Sequence, residues 1–104
     1  MNDEALQTLK PTTRAWVEHV RESWALEQHH ERLLLLAGQA WDRCQQACRI
    51  LDEEGLTVAT ATGLKTHPAM QIERDNRLQF ARLLRELQLD NGDADEPRIP
   101  GLYK

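Results

Sequence analysis

The sequence has no surplus of positive charge, no long apolar run and few aromatic side chains. Thirteen Lys and Arg face seventeen Asp and Glu, a formal net charge of −4. That balance excludes a nucleic-acid binder that works through bulk basicity. Any contact with DNA has to come from a local patch, repeated by symmetry. The longest apolar run, residues 33–37, is far short of the roughly 20 residues a membrane-spanning helix needs. No signal-peptide pattern precedes the first helical segment, so the chain is expected to stay in the cytoplasm, with no membrane partner. The two cysteines are then expected to be free thiols. No phosphate-cradling GxxxxGK(S/T) run, nucleophile-and-base set or pair of carboxylates stands out, so no enzyme activity and no cofactor are expected. At 104 residues there is room for one domain. A chain this short buries a modest fraction of its surface, and a partner subunit is expected to add to its stability.

What is present is helical periodicity. Residues 1–10 read as a flexible, polar start. Pro11, Thr12 and Thr13 form a helix entry, with a threonine hydroxyl available to cap the first amides. Trp16, Val17, Val20 and Trp24 then make one apolar stripe, which predicts a short amphipathic helix over 13–24. A second helix is predicted over 28–54. In it Leu34, Ala37, Trp41, Cys44, Cys48 and Leu51 alternate in steps of three and four, the seam of a coiled-coil-like hairpin. Gly55 ends it in the left-handed position, with Leu56 packing back behind. Residues 57–66 are threonine-rich and predict an extended connector with a short strand, turning at Gly63. His67-Pro68 opens a third helix over 68–87, with Ala69, Ile72, Phe80, Leu83, Leu84 and Leu87 on its apolar side. From Asp90 the chain is acidic and poor in apolar residues. The fold class is therefore all-α: a short amphipathic helix packed on a long antiparallel helical hairpin, with an extended connector and a disordered acidic C-terminal tail. The domain spans residues 11–89, and the linker and tail span 90–104.

Leu33, Leu36, Ala40 and Ala47 widen the apolar face of the second helix beyond a two-helix seam. Together with Trp41 they are the candidate interface between copies of the chain. Three arginines of the third helix, Arg74, Arg82 and Arg85, lie within about 80° of one another on a helical wheel, opposite the apolar side. They are the best candidate DNA surface, with Arg77 at its margin and Lys65 in the connector. The simpler reading is an ordinary salted surface in which Glu73 pairs with Arg77 and Arg82 with Glu86. Arg14 and Arg21 form a rival basic surface. The tryptophans match the other apolar positions and read as core or interface anchors rather than stacking platforms. No metal is expected. His29 and His30 point about 100° apart on a helix. Cys44 and Cys48 are one turn apart and would hold zinc only if another ligand, such as His19, came near. They read as small apolar fillers of the seam.

The order of these features resembles the terminase small subunits of tailed bacteriophages. The similarity runs from about Pro11 to Leu89. It starts with Arg14-Ala15-Trp16-Val17 and the leucine-rich Glu31-Arg32-Leu33-Leu34-Leu35-Leu36. It continues through Asp52-Glu53-Glu54-Gly55-Leu56, the connector with Gly63 and the helix start His67-Pro68-Ala69. It ends at Arg85-Glu86-Leu87-Gln88-Leu89. The resemblance implies a non-catalytic DNA-packaging subunit of a phage or prophage. It also implies a homo-oligomer able to close into a ring, with double-stranded viral DNA and the ATPase-nuclease large subunit as partners. Ile99, Leu102 and Tyr103, near the end of the acidic tail, are a candidate docking peptide for that large subunit. The competing reading is a bacterial helical protein–protein adaptor without DNA binding.

Overall fold

The computed structural model describes residues 3–24 and 26–87. It is mostly helical, with one small two-stranded sheet. The elements in order are α1 (Asp3–Gln7), α2 (Pro11–Ser23), α3 (Gln28–Glu54), β1 (Thr57–Thr60), β2 (Gly63–Thr66) and α4 (Ala69–Glu86). The tail read as acidic and disordered, with Ile99, Leu102 and Tyr103, lies outside the described residues.

Helix α3 is the axis of the molecule. Glu27 starts it with a capping box in which its side chain accepts from the His30 amide while the His30 ring accepts from the Glu27 amide. Gly55 stops it at a φ of 87°, a conformation glycine adopts without a Cβ clash. Leu56 does not pack back as expected; it is 60% exposed. The chain returns through β1 and β2, which pair antiparallel with Thr60 opposite Gly63, leaving a two-residue loop. The base of this hairpin is closed by the His67 amide donating to the Leu56 carbonyl at 2.8 Å.

Helix α4 then runs back along α3. Three contacts give the direction: Glu54 meets His67, Cys44 meets Glu73, and the rings of Trp41 and Phe80 lie 5.0 Å apart. Helix α2 lies against the same pair. Trp16, fully buried, stacks obliquely on Phe80 at 5.8 Å, so Phe80 is the point where α2, α3 and α4 meet. Thr13, Trp16, Val17 and Val20 form the buried stripe of α2, at the helical spacing of three and four.

Four further expectations are corrected. Residues 1–10 are not all a loose start: α1 forms, and Leu6 and Leu9 are buried in the common core. A five-residue helix has no stability of its own and forms because these two leucines dock. The Thr13 hydroxyl does not cap α2. It donates to Asp42 Oδ1 on α3 at 2.6 Å, while Asp42 Oδ2 accepts the Lys10 amide at 2.9 Å. Ile72 is not packed but 49% exposed, at the edge of the line through Ala69, Phe80, Leu83 and Leu87. Finally, Ala40 and Ala47 are buried within one chain, and Trp41 is half-buried against Phe80. The wide apolar face of α3 does have two neighbours, but both belong to the same chain: α4 on one side and the α1–α2 arm on the other. Gly38 marks the second contact, since a Cβ there would meet Thr13 Cγ2 at 3.2 Å and Leu9 Cδ1 at 3.3 Å.

Candidate nucleic-acid interface

The packed line of α4 fixes what its opposite side presents. With Ala69, Phe80, Leu83 and Leu87 turned to the core, Arg74, Arg82 and Arg85 face solvent, and all three are exposed. Arg74 and Arg85 are eleven residues apart, about 16.5 Å along the axis. Exposed Leu78 lies between them. Asp75 and Glu86 border Arg82 on one flank, so the basic strip is narrow. Across α4 as a whole, four arginines stand against three acids.

Among the described residues, Arg74, Arg82 and Arg85 have no ion-pair partner; the expected Arg82–Glu86 pair does not form. The Glu73–Arg77 pair does form, with Arg77 Nε 3.1 Å from both carboxylate oxygens. Arg77 is thus engaged, and the structure separates it from the three free guanidinium groups. Lys65 lies exposed on β2, in register with Val58. Its neighbour Thr66 lines an open cleft shared with Arg74 and Arg77.

The rival surface on α2 is occupied. Arg14 donates to the carbonyls of Leu6 and Leu9, at 3.1 and 3.3 Å, and so satisfies the C-terminal end of α1. Arg21 Nε lies 2.9 Å from Glu31 Oε2. Both guanidinium groups thus already have a partner within the chain. Arg32 and Arg43, which the sequence pattern alone does not single out, are exposed on the outer side of α3 beside Leu36. Their position opposite the seam is the signal that points to them. Of the five candidate interface residues, Leu36 is the most open at 48%, and Leu33 is half-buried.

Within the seam, Cys44 is buried and Cys48 half-buried, both as free thiols. Burial pushes the Cys44 thiol up to about 11, with the Glu73 carboxylate and Cys48 adding to the rise and Arg77 opposing it. His19, the ligand imagined for this pair, is not in the cluster. The residue that reaches both thiols is Glu73. His30 is taken up in the cap of α3.

The comparisons with known proteins decide the family. A model described as phage terminase, small subunit, matches residues 8–101. The chain belongs to that family. Its members are DNA-packaging proteins of bacteriophages, and the match takes in every described element after α1. No curated protein and no solved structure matches the chain. For this terminase small subunit no helix among the described residues is long and apolar enough to cross a membrane.

Proposed function

We propose that this chain is the DNA-recognition and regulatory subunit of a phage or prophage packaging terminase. It carries no catalysis of its own and acts as an oligomer beside the ATPase-nuclease large subunit. The outer strip of α4 contacts the phosphate backbone of double-stranded DNA through Arg74, Arg82 and Arg85. The observation that carries this reading is that these three guanidinium groups are exposed and unpaired among the described residues, whereas those of Arg14 and Arg21 are engaged.

Phosphate contacts position a protein without reading sequence, so the recognition expected from this strip alone is weakly sequence-dependent. An acidic chain with three such charges binds DNA poorly as a single copy. Several copies in register multiply the same contact, and family membership is the support for an oligomer. Contact between copies is centred on Leu36, with Leu33 at its edge, because Ala40, Ala47 and Trp41 are already used inside the chain.

An electrophoretic shift of double-stranded DNA at low salt tests the assignment. The wild-type protein should retard the DNA, and R74Q/R82Q/R85Q should lose most of that affinity while keeping its helical circular dichroism. Equal retardation by the two proteins would remove α4 as the contact. No retardation by either would favour a protein-only adaptor.

A further inference from the structure

The DNA-binding reading makes no use of the middle of the α3–α4 seam, where an unusual set of side chains converges. Cys44 and Cys48 stand one turn apart on α3, and Glu73 reaches across from α4. One ligand atom from each, two sulfurs and a carboxylate oxygen, all lie within 4.8 Å of one another. Cys44 Sγ is 3.9 Å from Glu73 Oε2.

Tetrahedral zinc, with bonds of about 2.3 Å to sulfur and about 2.0–2.2 Å to oxygen, holds its ligand atoms roughly 3.5–3.8 Å apart. The three atoms therefore need to close by at most about 1.3 Å, which is within reach of side-chain rotation about the Cys and Glu χ angles. Two thiolates select a borderline-soft ion such as Zn2+ over Mg2+ or Ca2+.

Charge also balances. Two thiolates and one carboxylate carry three negative charges, and the ion and the Arg77 guanidinium together carry three positive ones. Arg77 already bonds both Glu73 oxygens at 3.1 Å. It orients the carboxylate and can keep one oxygen while the other binds the ion, the part an outer-shell partner plays at metal sites.

We propose that Cys44, Cys48 and Glu73 form a site for a Zn2+-class ion that clips α3 to α4, with water in the fourth position. Binding forms two metal–sulfur bonds and one metal–oxygen bond, releases the two thiol protons to solvent and changes no oxidation state. The ion binds the folded hairpin, where α4 brings Glu73 to the thiols, in preference to the unfolded chain. Free metal in excess of Kd therefore raises the melting temperature.

The test uses the full-length chain, reduced and metal-free, titrated with Co2+ as a spectroscopic probe and then with Zn2+. One equivalent of Co2+ should produce a near-ultraviolet sulfur-to-cobalt charge-transfer band and the intense visible bands of a tetrahedral ion, and Zn2+ should erase both. Cys48 is half-buried, so Cys48→Ser should fold, as circular dichroism will verify, yet lose the charge-transfer band and the Zn2+-dependent rise in Tm. Glu73→Gln should retain sulfur coordination but bind Zn2+ at least about tenfold more weakly. Absence of the charge-transfer band in folded wild-type protein would overturn the proposal. So would Zn2+ affinity unchanged in Glu73→Gln, because the thiols would then bind without α4.

Discussion

Trp16 combines the largest fully buried side chain of the core with an indole Nε1–H that finds no acceptor among the described residues. Its packing against Phe80 stabilises the junction of three helices, while the orphaned donor works against it by about 1–3 kcal/mol. Trp16→Ala should destabilise the fold by about 3–5 kcal/mol, the usual cost of emptying an aromatic site in a core. Trp16→Phe should cost less than half as much, because it removes the unsatisfied donor along with part of the ring. Urea unfolding of both variants measures the difference; equal losses would mean that the ring kept in Phe adds nothing to the packing against Phe80. The stripe at Trp16, Val17 and Val20 was legible in the sequence because helical spacing alone defines it. The roles of Thr13, Asp42 and Arg14 were not legible. Each makes a bond set by how helices dock: Thr13 to a carboxylate 29 positions away, and Arg14 to the end of a helix that periodicity does not reveal.

His67 joins two elements. Its Nδ1 accepts the Ala69 amide at 3.0 Å, and its Nε2 lies 3.0 Å from Glu54 Oε1. That geometry places the ring proton on Nε2, where it is donated to the last residue of α3, while Nδ1 caps the first amide of α4. His67→Ala leaves that buried amide unsatisfied, and thermal or urea unfolding should show a loss of about 1–3 kcal/mol. His67→Asn should recover part of the loss, because an asparagine side chain can accept an amide two residues on. No recovery would shift the weight to the Glu54 contact. At this scale the sequence told most about α3, whose bounds of 28–54 emerge unchanged because its period is sustained and Gly55 stops it. It told less about the connector, where threonines and Gly63 announce extended chain but not the pairing of β1 with β2. It missed α1, which is too short to show a period and exists only through Leu6 and Leu9. The basic strip of α4 was visible on a wheel. Which arginines stay free was not, since ion pairing depends on side-chain reach and on what the neighbouring helices present. Glu73, which shares the Cys44–Cys48 cluster, was hidden for the same reason: it arrives from another helix.

For the whole molecule, the folded chain revises the case for assembly. The α1–α2 arm and α4 together cover most of the apolar face of α3, so hidden surface alone no longer demands a second copy. What is left at that face is Leu36, with Arg32 and Arg43 exposed nearby. Leu36→Glu should therefore convert an oligomer to a single chain in size-exclusion chromatography with light scattering, with little change in melting temperature. A wild-type protein that already runs as a single chain at micromolar concentration would rule out assembly through this face. The proposed DNA contact also belongs to this scale, because three arginines per chain suffice only if copies act together. The most direct measurement is the dependence of DNA affinity on salt, plotted as log K against log salt concentration. Each phosphate neutralised by the protein steepens that slope by about 0.9, so R74Q/R82Q/R85Q should flatten it by about 2.7 for each chain that binds DNA. Arg21→Gln, which alters an arginine already paired with Glu31, should leave the slope as it is. A slope unchanged in the triple variant would contradict the assignment of α4 as the surface that meets DNA.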